Sequence, residues 1–321
     1  MHRQGTDGEA AIALEGLEKV YDGTVAVDEV TFTIGHEEIF AVVGPNGAGK
    51  TTLVEMLECL RTPTGGSATV LGYDIATDAH AIKERIGVLP QSFRAFDRLT
   101  VRENVALTRQ LYDDGLAVES VLDRLDLTEY ADTRFDALSG GYQQRTGLAM
   151  AIVSDPEVLF LDEPTTGLDP AARRTTWTQI ERLADGGTTV VLTTHYMEEV
   201  EELADRTALL VDGAVVAVDT VSELVDAYGG DVKLVVSVAR DASASAAEAV
   251  ETALRSAATE VYRNETDDLV GLFDDRSRAQ AAFGRLHDLP GSRSIDLVSA
   301  GMADVFLRLA GGTLDAGGDL A

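Results

Sequence analysis

The chain has 321 residues and carries 55 acidic against 26 basic side chains, a net charge of −29. Non-specific nucleic-acid binding depends on neutralising phosphates, so this balance excludes it as a mode of action. Hydrophobic residues make up 45% of the chain, enough for one large core and a smaller one, yet no apolar run approaches the ~18 residues that span a bilayer.

The first eight residues, Met1 to Gly8, lack the apolar segment of a secretion signal, so the chain is expected to stay where it is made. From residue 12 to about 228, short apolar strands alternate with helix-like stretches, the pattern of an α/β layered domain. Three runs, 39–43, 158–161 and 189–192, are apolar throughout, as strands covered on both faces are. Each leads into a polar cluster. Ligands of such sheets sit beyond the carboxyl ends of the strands, so these clusters should converge on one site.

The single cysteine, Cys59, lies among Leu53, Val54, Met56, Leu57 and Leu60 and reads as a buried packing residue. With one cysteine no internal disulfide can form, which fits a reducing compartment. The five histidines show no metal-ligand spacing. Between about 91 and 154 helical periodicity replaces strand patterns, which predicts a helical subdomain inserted into the α/β core.

After Gly229-Gly230 the character changes. A strand at 232–238, a helix at 244–258, a hairpin over 261–273 turning at 264–268, a helix at 276–289 and a strand at 295–298 follow. This β-α-β-β-α-β order is compatible with a ferredoxin-like α+β module. The expected division is therefore 1–228 and 229–321, with a frayed end from Asp315 to Ala321.

The chemistry concentrates in the first part. Gly44-Pro45-Asn46-Gly47-Ala48-Gly49-Lys50-Thr51-Thr52 follows a strand and precedes a helix. Glycines let a backbone wrap phosphates so that N–H groups and a helix N-terminus face negative charge. Lys50 should reach the β- and γ-phosphates, the Thr51 hydroxyl should ligate Mg²⁺, and Thr52 lies close enough for the α-phosphate. The strand at 158–161 delivers Asp162 and Glu163 to the same sheet edge. One carboxylate there can hold Mg²⁺ through its water shell, and the next can polarise an attacking water.

Leu138-Ser139-Gly140-Gly141-Tyr142-Gln143-Gln144-Arg145 resembles the signature motif of ABC ATPases. The order is also theirs: phosphate loop, Gln91, signature, Asp162-Glu163, Gly167-Leu168-Asp169, then His195. The resemblance covers about residues 12 to 228 and implies a P-loop NTPase core of ABC type. It implies that Ser139, Gly140 and Gly141 face the γ-phosphate bound to an opposite subunit, so that ATP is sandwiched between two chains. By the same resemblance Tyr21 stacks on adenine, and Gln91 touches Mg²⁺ and senses a membrane partner whose groove is lined by 92–99. His195 is then the switch histidine at the γ-phosphate, Glu163 orients the hydrolytic water, and Asp169 couples the two sites across the dimer. Glu37 departs from the family at a turn position more often glycine, as does Ala41 in the following strand.

The resemblance thus implies a Mg²⁺-dependent ATPase subunit of an ABC transporter. One nucleotide-binding unit followed by a module ending Met302-Ala303-Asp304-Val305-Phe306-Leu307-Arg308-Leu309 is similar to the drug- or polysaccharide-export type. Its partners would be a separate permease and a second copy, with the chain cytoplasmic and peripheral on the inner membrane face. The alternative is a soluble ABC-type ATPase acting as a regulatory or nucleic-acid-associated switch. Against it, the stretch between Lys50 and Ser139 is too short for the long coiled coil of chromosome-type members, and translation-type members carry two ATPase units.

The acids are spread among regular apolar patterns, unlike a disordered tail. This suits a salt-rich cytosol, where screening suppresses self-repulsion. ATPase rate and dimer formation are therefore expected to rise with KCl into the molar range, as the Debye length falls from about 30 Å at 0.01 M to about 3 Å at 1 M. Rates and sedimentation across a salt series check this; maximal activity in dilute buffer would defeat it.

Overall fold

A computed structural model describes residues 10–230, 232–239, 242–263 and 267–310. The expectations for Met1 to Gly8, for 264–266 of the hairpin turn and for Asp315 to Ala321 lie outside these residues. The described residues up to Thr194, with Glu202–Val218, form one compact unit; His195–Glu201 and those from Asp219 on form a second.

The first unit opens with β1 (Ile12–Tyr21) and β2 (Thr24–Ile34), an antiparallel pair. Asp22 and Gly23 join them with φ of 47° and 87°, the two positive values that a tight hairpin turn needs and that Asp-Gly supplies. Next come β3 (Ile39–Val43), α1 (Lys50–Leu57), β4 (Gly65–Val70), β5 (Tyr73–Asp74), α2 (Ala79–Lys83) and β6 (Ile86–Leu89). Three helices then follow without an intervening strand: α3 (Val101–Arg109), α4 (Val118–Arg124) and α5 (Gly140–Ile152). This is the expected helical insert. Its first helix is fixed by a capping box in which Thr100 and Glu103 satisfy each other's backbone N–H groups.

The chain then supplies β7 (Val158–Asp162), α6 (Pro170–Asp185), β8 (Thr189–Thr194), α7 (Met197–Leu203), β9 (Arg206–Val211) and β10 (Ala214–Thr220). Strands β1, β2, β4 and β5 make one sheet, ordered β2-β1-β4-β5. The other is ordered β10-β9-β3-β8-β7-β6, and its run from β9 to β6 is parallel. Parallel neighbours need crossover connections, so strands distant in sequence become adjacent and end on the same edge. Every residue of β3 and β8 is buried, which accounts for their unbroken apolar or threonine character.

Cys59 differs from expectation. It is half-buried, because it lies just past the end of α1 where the backbone turns left-handed at φ 55°. Burial pushes its thiol pKa up, so it stays protonated.

The second unit contains α8 (Val221–Leu224), β11 (Val232–Val238), α9 (Ala244–Ala257), β12 (Glu260–Arg263), β13 (Leu269–Phe273), α10 (Arg276–His287), β14 (Ser292–Val298) and α11 (Met302–Ala310). Its sheet is antiparallel in the order β12-β13-β11-β14, the ferredoxin-like arrangement. Leu234, Val236, Val250, Leu254, Phe273 and Leu286 share its core. α10 ends earlier than the sequence suggested because Pro290 disfavours helical backbone in the residue before it. Asp304 is fully buried but satisfied: Lys233 Nζ donates to it at 2.7 Å, Tyr262 Oη at 2.8 Å and the Gly301 N–H at 2.8 Å. A buried carboxylate persists only with such partners.

Glu37 adopts φ 59° in the turn before β3, while its N–H donates to Thr189 Oγ1 at 3.0 Å. That conformation costs an L-residue with a Cβ, and glycine adopts it freely. Glu37→Gly keeps the N–H and is expected to raise unfolding stability by about 1 kcal/mol. A denaturant melt showing no gain would mean that the side chain contributes something the backbone argument omits.

Candidate active site

The site begins where β3 ends. A Cβ on Gly44 would collide with the Leu210 carbonyl oxygen, and one on Gly49 with that of Ala26. Gly47 and Gly49 have φ of 84° and 101°. Gly44 thus demands glycine for space, Gly47 for conformation and Gly49 for both. The loop Gly44–Thr52 therefore passes close to neighbouring backbone and delivers α1 with Gly49 at its N-cap and no side chain capping it. Its first N–H groups are thereby left for an anion.

Lys50 is only 6% exposed, and its Nζ donates to the carbonyls of Gly44 at 2.6 Å and Pro45 at 3.1 Å. Burial lowers its pKa, while Glu163 and Asp162 pull it the other way. The ammonium is thus held inside its own loop, facing two carboxylates.

β7 supplies those carboxylates. Asp162 pairs in register with Thr193 of β8, and the Thr193 hydroxyl donates to Asp162 Oδ1. Thr51 Oγ1 lies 3.5 Å from Asp162 Oδ2. Burial raises the Asp162 pKa, the Thr193 hydrogen bond opposes this, and the neighbouring Glu163 adds to the rise. Glu163 has φ 49°, a strained backbone for a residue with a side chain, of the kind that collects at working sites. Its N–H donates to the Thr193 carbonyl at 3.0 Å and also lies 3.2 Å from Thr193 Oγ1. Its Oε2 accepts from Gln91 Nε2 at 2.7 Å and Thr166 Oγ1 at 3.2 Å. Gln91, exposed just after β6, is therefore joined to the carboxylate pair.

Lys50, Thr51, Asp162, Glu163 and Gln91 are thus brought together. Tyr21 sits on the hairpin whose Ala26 abuts Gly49, and its ring is half-buried with Lys19 Nζ 5.0 Å and the Arg61 guanidinium 5.5 Å from its centroid. Ser139 occupies the N-cap of α5 but its hydroxyl makes no capping bond, contrary to the simple reading of a serine at a helix start. Ser139 and Gly140 are exposed, and a Cβ on Gly140 would meet nothing. Among the described residues no hydrogen bond links this turn to the phosphate loop of the same chain. Asp169 caps α6, accepting from the N–H groups of Ala171 at 2.9 Å and Ala172 at 3.0 Å. His195 follows β8 directly, is 9% exposed, packs its ring 4.3 Å from that of Tyr196 and belongs to the second compact unit.

Sequence reasoning missed Thr193. Its hydroxyl and carbonyl orient both carboxylates, and the signal was a threonine closing an otherwise apolar strand. It also missed Glu58, a carboxyl only 5% exposed at the end of α1, whose pKa is pushed up to about 8 by burial, with Asp162 and Glu55 adding to the rise.

The residues fit a Mg²⁺ nucleotide. The loop leaves the first N–H groups of α1 without a side-chain cap, Lys50 is buried within it, and Thr51 and Asp162 offer hard oxygen ligands side by side. Among the described residues no group of three His, Cys, Asp or Glu side chains could hold a metal by itself.

The sequence profile of the ABC transporter family matches residues 27–166. Over 314 residues the chain is 36% identical to the daunorubicin/doxorubicin resistance ATP-binding protein DrrA of Streptomyces peucetius, covering 95% of this chain and 94% of that protein. Over 315 residues it is 34% identical to the Nod factor export ATP-binding protein I of Mesorhizobium japonicum, covering 94% and 87%. Its structure is similar to that of a dimeric ATP-binding cassette in a post-hydrolysis state bound to ADP and Pi, with a TM-score of 0.60 at 26% identity, covering 65% of this chain and 98% of the other.

Thr193 touches no reacting atom and acts by holding Asp162 and Glu163. Thr193→Val is expected to lower turnover by about 10–100-fold, the usual weight of a group that orients metal ligands. Nucleotide affinity in the absence of Mg²⁺ should be unchanged, and Thr193→Ser should restore the rate. Equal kinetics for the valine and native chains would remove this role.

Proposed function

The chain belongs to the ABC transporter family, and we propose that it works there as the ATP-hydrolysing subunit of an exporter whose membrane-spanning part is a separate permease. The observation that carries this reading is the cluster of Lys50, Thr51, Asp162, Glu163 and Gln91 at the carboxyl ends of β3 and β7. Two relatives matched over nearly their whole length are named as ATP-binding proteins of drug resistance and of Nod factor export. Among the described residues no helix is long and apolar enough to cross a membrane. A permease partner, with the chain held against the inner membrane face, follows from this reading.

The loop Gly44–Thr52 turns its N–H groups to the phosphates of ATP. Lys50 exchanges the Gly44 and Pro45 carbonyls for phosphate oxygens, and its charge is strongest there because the site is buried. Thr51 and Asp162, with Gln91 beside them, would hold Mg²⁺. When bound, that ion supplies a compact positive charge against the phosphate oxygens. Glu163, held by Gln91 and Thr166, orients the attacking water and draws on its proton. His195 reads the γ-phosphate and Tyr21 stacks on the adenine.

The active unit is a dimer. Ser139, Gly140 and Gly141 present an exposed helix start with an uncommitted hydroxyl, suited to the phosphates held by a second copy. Asp169 links the two sites. Residues 1–228 carry the chemistry, and 229–321 form an accessory module.

Glu163→Gln is expected to cut turnover by about 10²–10⁴-fold, the worth of a positioned base. ATP affinity should survive, and the ATP-bound dimer should persist in sedimentation. Native turnover in this variant would take Glu163 out of the mechanism.

A further inference from the structure

The first N–H of a helix has no acceptor inside the helix itself. In α11 that group is the N–H of the buried Met302, and Glu201 Oε1 accepts from it at 2.6 Å across 101 positions of sequence. A carboxylate at a helix N-terminus is also favoured by the helix dipole. Glu201 lies in α7, which begins at Met197, directly after His195 and Tyr196. The segment His195–Glu201 belongs to the second compact unit, whereas Thr194 before it and Glu202 after it belong to the first. It is little more than one helical turn, with Val200 fully buried and the His195 and Tyr196 rings packed together. α11, in turn, is fixed to its own module. Asp304 accepts from Lys233 and Tyr262, and the Arg308 guanidinium donates to Asp274 Oδ1 at 2.8 Å and to the Tyr228 carbonyl at 3.3 Å. A row of contacts therefore runs from the sheet of the second unit through α11 to Glu201, at the end of the segment that starts with His195.

We infer that Glu201 is a positioning residue for His195: its bond to the start of α11 sets where the segment stands, so that the C-terminal module takes part in hydrolysis. This rests on the reading of His195 as the residue that meets the γ-phosphate. A group that stabilises a transition state must be held to within about 0.5 Å, and a displacement of about 1 Å costs up to 10²-fold in rate. A single turn of helix cannot hold a side chain to that tolerance by its own hydrogen bonds. The tie at Glu201 supplies a second fixed point. Nucleotide affinity comes from the phosphate loop and the adenine platform, so a loosened tie acts on kcat and leaves ATP binding alone.

The test is ATPase kinetics and ATP affinity of the full chain. Glu201→Ala removes the acceptor and is expected to lower kcat by about tenfold with ATP affinity unchanged. Glu201→Gln keeps an amide oxygen for the Met302 N–H and should stay within about twofold of the native rate. Gly301→Ala reaches the same contact from the other side. The added Cβ would collide with Glu201 Oε1, the end of a flexible side chain that can swing away, and Gly301 has a backbone conformation that alanine adopts without strain. It should lower kcat as Glu201→Ala does, and the two together should lower it no further. In a His195→Ala chain, adding Glu201→Ala should cost nothing more, because residues that act through one group are not additive. Native kcat in both Glu201→Ala and Gly301→Ala, a fall in ATP affinity as large as the fall in kcat, or a loss repeated in full on top of His195→Ala overturns the inference and leaves the role of His195 standing. Native turnover in His195→Ala alone overturns both.

Discussion

The first unit is organised around the cost of burying Lys50. An ammonium group away from water is unfavourable unless negative or polar groups surround it. Here the Gly44 and Pro45 carbonyls accept from it and the carboxylates of Asp162 and Glu163 face it. Those groups can meet only because β3, β8 and β7 are adjacent, parallel and end on one edge. The glycines of the loop permit the approach, since a single Cβ at Gly44 or Gly49 would strike neighbouring backbone.

The same economy of placement explains the strained and buried polar residues nearby. Thr193 is fully buried, and its hydroxyl and carbonyl serve two consecutive residues of β7. Glu163 tolerates a left-handed backbone because its N–H is fastened to β8 and its carboxylate to Gln91 and Thr166.

The second unit keeps a different kind of order. Its sheet and two helices bury a hydrophobic core, and the ion pair of Lys233 with the buried Asp304 is reinforced by further hydrogen bonds. Asp304 has three donors and reads as a structural device that fixes the packing of α11.

The sequence by itself determined the phosphate loop, the carboxylate pair, the signature turn and the alternation of elements. Each is a local pattern, and its chemistry follows from residue types a few positions apart. The succession of elements in the C-terminal module was legible for the same reason, although β11 pairs with β13 and β14 from far along the chain. Helix and strand ends were less so, because Pro290 and the pairing of Ser292 with Val238 act at the boundary and not across the pattern. Tertiary structure alone decided the rest. Thr193 matters because β8 lies beside β7, some thirty positions away in sequence. The uncapped start of α5 at Ser139 and the burial of Glu58 depend on which groups come near them from distant segments. Proximity across a sheet or a groove is a property of the packed chain, and no spacing of residues along the sequence encodes it.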